Sequence, residues 1–369
     1  MTTLNVRDAP GRTTSADATQ KATQKAAQKA TQKATRKARL GASVPGAVLT
    51  AVARSAAALG RALLIAVPVL LVSTFITFML GGLTDQDPAS VVLGDSATPA
   101  DVARMREVFG LDRPLLARYA LWLWDALHGD LGASWFTKIP VARSIAERLP
   151  VSLSVAAGAL LIAVVLGGVF GVLAAVRQGG RLDRAVTVVT SVLATVPGFV
   201  AAIALITVFS LLVPVLPSGG WASASDGLPT WASFLVLPCV ALSLDAAADV
   251  ARQLRTGLAD TLHENYVVGA RVRGLPGWRI VLVHALRNGA GPAVAVLGMH
   301  VPRLIGGAVI VETVFALPGI GELTKTAALG GDVPVVQGAL LVTIGVVLIS
   351  SALVNVLLVK LRPAARREI

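Results

Sequence analysis

Long apolar runs alternate with short charged connectors along the whole chain. Twenty-three uncharged residues separate Arg61 from Asp85, 28 separate Arg148 from Arg177, and 27 separate Asp332 from Lys360. A fourth run of 41 residues, between Arg184 and Asp226, holds one span plus a Pro/Gly/Ser loop from Pro214 to Gly220. About 20 apolar residues in a helix cross the hydrocarbon core of a bilayer, so each run predicts a transmembrane helix. Two further stretches predict helices with embedded charge. Trp231 to about Leu254 carries Asp245 and Asp249; Gly289 to Val311 carries His300 and Arg303. The expected fold is an all-α integral membrane protein with six transmembrane helices, at about 62–83, 150–176, 186–213, 231–254, 289–311 and 335–359.

Flanking charges orient these spans. Arg36, Lys37, Arg39, Arg54 and Arg61 precede the first, and Arg177, Arg181 and Arg184 lie between the second and third. Six arginines against two acids fill Arg252 to Arg287, and Lys360, Arg362, Arg366 and Arg367 follow the last span. The alternate connectors are neutral or acidic: Asp85 to Arg148 holds nine acids and seven bases, and the others hold mainly Asp226, Glu312, Glu322 and Asp332. Basic loops stay on the cytoplasmic side. Both termini are therefore expected in the cytoplasm, and the chain in the cell membrane.

Composition removes other readings. Charged residues make up 15% of the chain, against about 25% in soluble domains. The net charge of +12 thus reflects topology, and no nucleic-acid partner is expected. One cysteine, Cys239, and four scattered histidines give no metal-ligand spacing, so no metal or cofactor is expected. The stretch Gly319 to Thr326 lacks the glycine that precedes the lysine of a phosphate loop. If ATP drives this protein, another chain binds it, and the chain itself is not an enzyme.

Outside the spans, residues 1–55 form a basic, low-complexity tail with Lys21, Lys25, Lys29, Lys33 and Lys37 evenly spaced. It reads as disordered, or as a basic helix held on anionic membrane lipid. Residues 56–362 are the membrane domain and 363–369 the cytoplasmic end. The segment 84–149 is an external platform. Thr98-Pro99-Ala100-Asp101 starts a helix, Gly110 stops it, and Pro114 opens another whose Tyr119, Trp122 and Trp124 suit the membrane interface. Ile139 to Leu149 reads as an elbow into the second span. The platform either docks an external partner or simply caps the bundle.

The connector 255–288 is too polar for lipid. Residues 258–272 have the pattern of a short amphipathic helix, small residues at Gly269 and Ala270 allow close approach, and Gly274 permits a sharp turn. A helix lying in a partner's groove is a common recognition mode; a loop that only fixes topology is the plainer reading.

Taken in order, several motifs resemble the permease subunits of ATP-binding-cassette importers of the oligopeptide/dipeptide/nickel family, from about Arg61 to Arg362. They are Phe109-Gly110-Leu111-Asp112-Arg113-Pro114, His128-Gly129-Asp130-Leu131-Gly132, Glu147-Arg148-Leu149-Pro150, Tyr266 to Gly274, His284-Ala285-Leu286-Arg287-Asn288, Val311 to Phe315, and Pro334 to Gly338. Aligning the family's cytoplasmic signature on Gly274 puts Val268, Gly269 and Ala270 where Glu-Ala-Ala is usual, and the signature's final proline is absent. The resemblance implies a type I importer permease fold and no covalent chemistry. It implies a second homologous permease, two cytoplasmic ATPases, an external solute-binding protein and a peptide-like solute as partners. It makes 255–288 the ATPase-coupling loop, with Asn265, Tyr266, Gly269, Ala270, Arg271, Arg273 and Gly274 as its contact residues.

Ionisable groups inside spans are costly and face the bundle interior, one another or a watery path. Asp245, Asp249, His300 and Arg303 are therefore candidates for the translocation path. Asp245 and Asp249 share a helix face, so Arg303 pairs with one of them, or both aspartates sit at the cytoplasmic edge against Arg252 and Arg255. Gly167, Gly168, Gly171, Gly306 and Gly307 predict close helix packing. An ion-coupled secondary transporter is the alternative function, but it calls for symmetric halves with broken helices, and no internal repeat is visible.

Overall fold

The computed structural model describes residues 64, 66–82, 87–94 and 96–361. The lysine-repeat tail, the arginines before residue 64, Asp85 and the end 362–369 lie outside the described residues. The chain divides into two compact units, Met1–Val69 and Leu70–Ile369. Of the first, only residue 64 and the opening helical residues 66–69 are described.

The described residues are helical, with no strand beyond one isolated bridge between Ala133 and Pro140. Helix α1 (Ala66–Gly82) is apolar but short. The platform supplies α2 (Pro99–Val108) and α3 (Leu115–Leu127). Thr98 and Asp101 cap α2 reciprocally, each side chain accepting the other's backbone N–H at 3.3 Å. Then come α4 (Val141–Val176), α5 (Arg181–Leu193), α6 (Gly198–Ile206), α7 (Leu228–Leu262), α8 (Asn265–Val272), α9 (Gly291–Val314), α10 (Ile320–Gly330) and α11 (Val333–Leu361). Four of these, α4, α7, α9 and α11, are long and apolar enough to cross a membrane, which makes this a multi-pass membrane protein.

The third predicted span differs from expectation. Instead of one helix over 186–213, α5 and α6 meet at a bend of 103°. Pro197 explains it: proline has no N–H to donate and pushes the preceding residue out of helical geometry. Helix α6 then runs on as π-turns from Thr207 to Leu212. The segment read as an elbow, 139–149, forms the first turns of α4, which starts at Val141 and carries Pro150 within it.

Helices α4 and α7 form the central pair. Lipid is as apolar as leucine, so packing inside a bilayer depends on close fit more than on leaving water, and glycines on α4 provide the fit. A Cβ at Gly158 would lie 2.5 Å from Cys239 Sγ; at Gly167, 2.7 Å from Val250 Cβ; at Gly171, 2.9 Å from the Ala251 carbonyl. Gly168 and Gly306 meet nothing within 4 Å and Gly307 only Leu242, so the expected packing role holds for Gly167 and Gly171 and fails for these.

α7 has 35 residues and is about 52 Å long at 1.5 Å per residue, against a hydrocarbon core of about 30 Å. Its C-terminal part, from Arg252 on, is polar and carries the 255–288 island. There Leu258, Leu262, Val267, Ile280 and Ala285 share one core with Ala175 and Val250. Removal from water does act there, at about 1.5–3 kcal/mol for each large apolar side chain.

Candidate functional site

The island is a folded body fixed to α7. Residues 258–262 belong to α7 and not, as the pattern predicts, to the amphipathic helix. The backbone turns at His263 and Glu264, whose N–H groups bond back to Asp260 O and Thr261 O, and α8 restarts at Asn265. Gly274 ends α8 with φ +75°, and its N–H donates to Arg271 O at 2.9 Å. Glycine alone adopts that conformation without strain. The returning helical segment passes so close to α7 that a Cβ on Gly257 would fall 2.2 Å from Gly289 O. Tyr266 Oη accepts from Asn288 Nδ2 at 2.8 Å, closing the island's two ends.

The predicted contact residues divide between surface and core. Asn265, Tyr266, Arg271, Arg273 and Gly274 are exposed and Gly269 is half-buried, but Ala270 is 1% exposed inside the island's core. Its small size admits its own core, not a partner. One turn apart on the outward face stand Val268 and Val272, with Trp278, Leu282 and Val283 also exposed. The pattern missed these apolar side chains; their exposure beside Arg271 and Arg273 is what marks the face.

At the same end of α7, Arg255 forms a two-pronged pair with Asp183 in the first turn of α5, at 2.9 and 2.8 Å. Asp183 is 3% exposed and also accepts from Gly179 N. Hydrogen bonding to Arg255 holds the Asp183 carboxyl below its ordinary pKa. The island, α7 and the α4–α5 turn are thus tied into one piece.

Asp245, the midpoint of α7, and Asp249 one turn on converge with His300 of α9. His300 Nε2 lies 2.9 Å from Asp249 Oδ2, and its Nδ1 is 3.7 Å from Asp245 Oδ2. Asp249 also pairs with Arg252. The pairing expected for Arg303 is not made: it is exposed and meets no carboxylate among the described residues. His300 takes that place because Arg303, three residues on, sits about 60° further round α9. Nor does Arg255 balance the aspartates, since it is committed to Asp183. His300 is buried, whereas the Asp245 side chain is 50% exposed. The cluster offers an imidazole and two carboxylates within 4.8 Å of one another, an arrangement that histidine spacing in sequence could not reveal.

At the opposite end of the bundle, Glu312 is fully buried. Its carboxylate accepts from Ser152 Oγ (2.6 Å), Gly321 N (2.8 Å) and Glu322 N (3.1 Å), while Ser152 Oγ accepts from Ile320 N. Acid at a helix N-terminus meets the unpaired N–H groups and the dipole. A Cβ at Gly319 would lie 2.2 Å from this carboxyl. The sequence pattern counted Glu312 only as a loop charge; Pro318-Gly319-Ile320-Gly321 is the signal that a helix start packs tightly there.

With this geometry in place, comparison with known proteins settles the class. Residues 167–367 match the model for the binding-protein-dependent transport system inner membrane component, and 57–156 match that of the corresponding N-terminal region. The chain belongs to this family of inner-membrane permease components of ABC importers. It is 37% identical over 276 residues to a putative peptide transport system permease protein of Brucella abortus, covering 75% of this chain and 88% of that one. It is 35% identical over 306 residues (83% and 98%) to a probable peptide ABC transporter permease of Sinorhizobium fredii. It is likewise 35% identical over 297 residues (74% and 87%) to a probable D,D-dipeptide transport system permease of Escherichia coli. Among solved structures, an inward-facing MetNI methionine ABC transporter aligns at 18% identity and a TM-score of 0.49, covering 59% of this chain and 95% of that one.

Proposed function

We propose that the chain forms half of the translocation pathway for a peptide-like solute, in a six-span, type I arrangement with both termini cytoplasmic. The membrane domain is 56–362, flanked by a cytoplasmic tail (1–55) and end (363–369), with an external platform at 84–149. A second, homologous permease forms the other half. Two cytoplasmic ATPases hydrolyse ATP, and an external binding protein delivers the solute. The path opens outward when ATP closes the ATPases and inward after hydrolysis, past Asp245, Asp249, His300 and Arg303.

The observation that carries this reading is the island. Its exposed face of Val268, Val272, Arg271 and Arg273, with Asn265, Tyr266, Gly269 and Gly274 around it, sits on a folded core continuous with α7. A push on that face therefore moves a spanning helix and not a slack loop. In the reconstituted assembly, Arg271→Glu or Gly274→Pro is expected to lower ATP-driven uptake at least tenfold. Each mutant should still insert in normal amounts. Arg271→Glu places an acid on an exposed position and leaves the core intact. Unchanged uptake in both variants refutes the coupling role.

A further inference from the structure

The platform holds one buried hydrogen-bond donor that meets no acceptor among the described residues. Helix α3 lies along α1: Tyr119 Oη donates to Leu71 O at 3.1 Å, and its ring meets Phe75 and Phe78 edge-on. Beside it, Arg118 and Trp122 line a cavity of about 210 Å³ with Phe78, Arg113, Asp125 and Asp130. Trp122 Nε1 is buried and has no hydrogen-bond partner among the described residues. Arg118 rests over the Phe78 ring, 5.6 Å from its centre, and pairs with no carboxylate among the described residues. Burial lowers its pKa. Buried polar groups in folded proteins almost always find partners, so Trp122 Nε1, with the half-buried Arg118 guanidinium beside it on the same cavity, marks a place for an acceptor.

The lining also dictates what carries that acceptor. Two arginines and two aspartates line the cavity, and their formal charges cancel, so a ligand of like balance fits: an anionic oxygen for Arg118 and Trp122, and an ammonium for Asp125, since Asp130 Oδ1 already accepts from Gly132 N. A soluble zwitterion and a zwitterionic lipid headgroup share this chemistry. The exposed apolar side chains on the same helix, Leu116, Leu121 and Trp124, favour the lipid, since they offer acyl chains a surface. Tryptophan and tyrosine gather at that depth of a membrane.

We propose that this cavity binds the headgroup of phosphatidylethanolamine from the adjoining leaflet, its phosphate on Arg118 and Trp122 and its ammonium on Asp125. The site is independent of the direction of transport and of the solute carried. Native mass spectrometry of the purified, delipidated assembly tests it, with phosphatidylethanolamine or phosphatidylglycerol of identical acyl chains added back. The wild type should retain phosphatidylethanolamine about tenfold better, and Arg118→Gln should lose that lipid by a similar factor, the size of one charge-assisted hydrogen bond. Asp125→Asn, at an exposed position, should keep lipid binding but lose the headgroup preference; it serves if Arg118→Gln fails to assemble. Exposed Arg104→Gln should change nothing. Equal retention of both lipids by the wild type, or an unaltered preference in Asp125→Asn, overturns the proposal. So does release of the bound lipid by millimolar dialanine, which would assign the cavity to a soluble zwitterion.

Discussion

A charged side chain on a membrane helix must have somewhere wet or paired to be, and Asp245 has only half a partner. Its neighbour His300 is already engaged with Asp249, which Arg252 balances, and the rest of the Asp245 side chain is open. Such exposure is tolerable toward an aqueous path and not toward lipid. Asp245→Cys should therefore react with a charged methanethiosulfonate in the membrane-embedded assembly. Leu161→Cys, on an exposed apolar position of α4, should react at least tenfold more slowly. The one native thiol, Cys239, is buried and adds little background. Equal, negligible labelling at 245 and 161 would remove Asp245 from the path. The sequence alone leads to the right two helices and to Arg303 where His300 is the neighbour. Depth in a span is visible as position in an apolar run, but the rotation of a helix about its axis depends on packing. That rotation decides between His300 and Arg303.

At the scale of elements, runs of apolar residues are legible because a bilayer demands length, and α4, α7, α9 and α11 appear where such runs fall. What length cannot convey is a bend. Residues 185–225 are uncharged throughout, yet Pro197 breaks them into α5 and α6. Backbone contacts are hidden for a similar reason, because a glycine reads the same whether it faces a helix or open space. Gly257 and Gly289 press the island onto α7, whereas Gly168 faces nothing. Gly257→Ala should force the two backbones apart and cost about 1–3 kcal/mol, as overpacking does. In the assembly it should leave ATP hydrolysis running while uptake falls, because the island would no longer move α7 with it. Gly168→Ala should leave thermal stability and uptake unchanged. If both alanine variants behave alike, the Gly257 contact does not transmit motion.

For the whole molecule, orientation decides whether the parts make a machine. The loop 177–180, Asp183, Arg255 and the island cluster at one end of the bundle. The platform, Glu312 and Asp332, which accepts from Ser134 of the platform at 2.5 Å, gather at the other. The proposed function needs an ATPase-facing surface and an external surface at opposite ends, and most of the length of α4, from Ser152 to Val176, lies between the two groups. Charge supplies the sense of the arrow in the proposed arrangement: the basic connectors among the described residues, 177–184 and 252–287, fall at the island's end, and the positive-inside bias is the ground for proposing that end as cytoplasmic. In that arrangement the platform is proposed to face outward. Two exposed arginines test this directly, since neither makes an ion pair with an aspartate or glutamate among the described residues and each can be replaced by cysteine at little structural cost. In sealed vesicles, a membrane-impermeant maleimide should label Arg104→Cys of α2 only when the outer face is presented. It should label Arg273→Cys, at the end of α8, only after inversion. Labelling of Arg273→Cys from outside would place the island away from any nucleotide-hydrolysing partner. No arrangement of the remaining residues could then couple this chain to ATP.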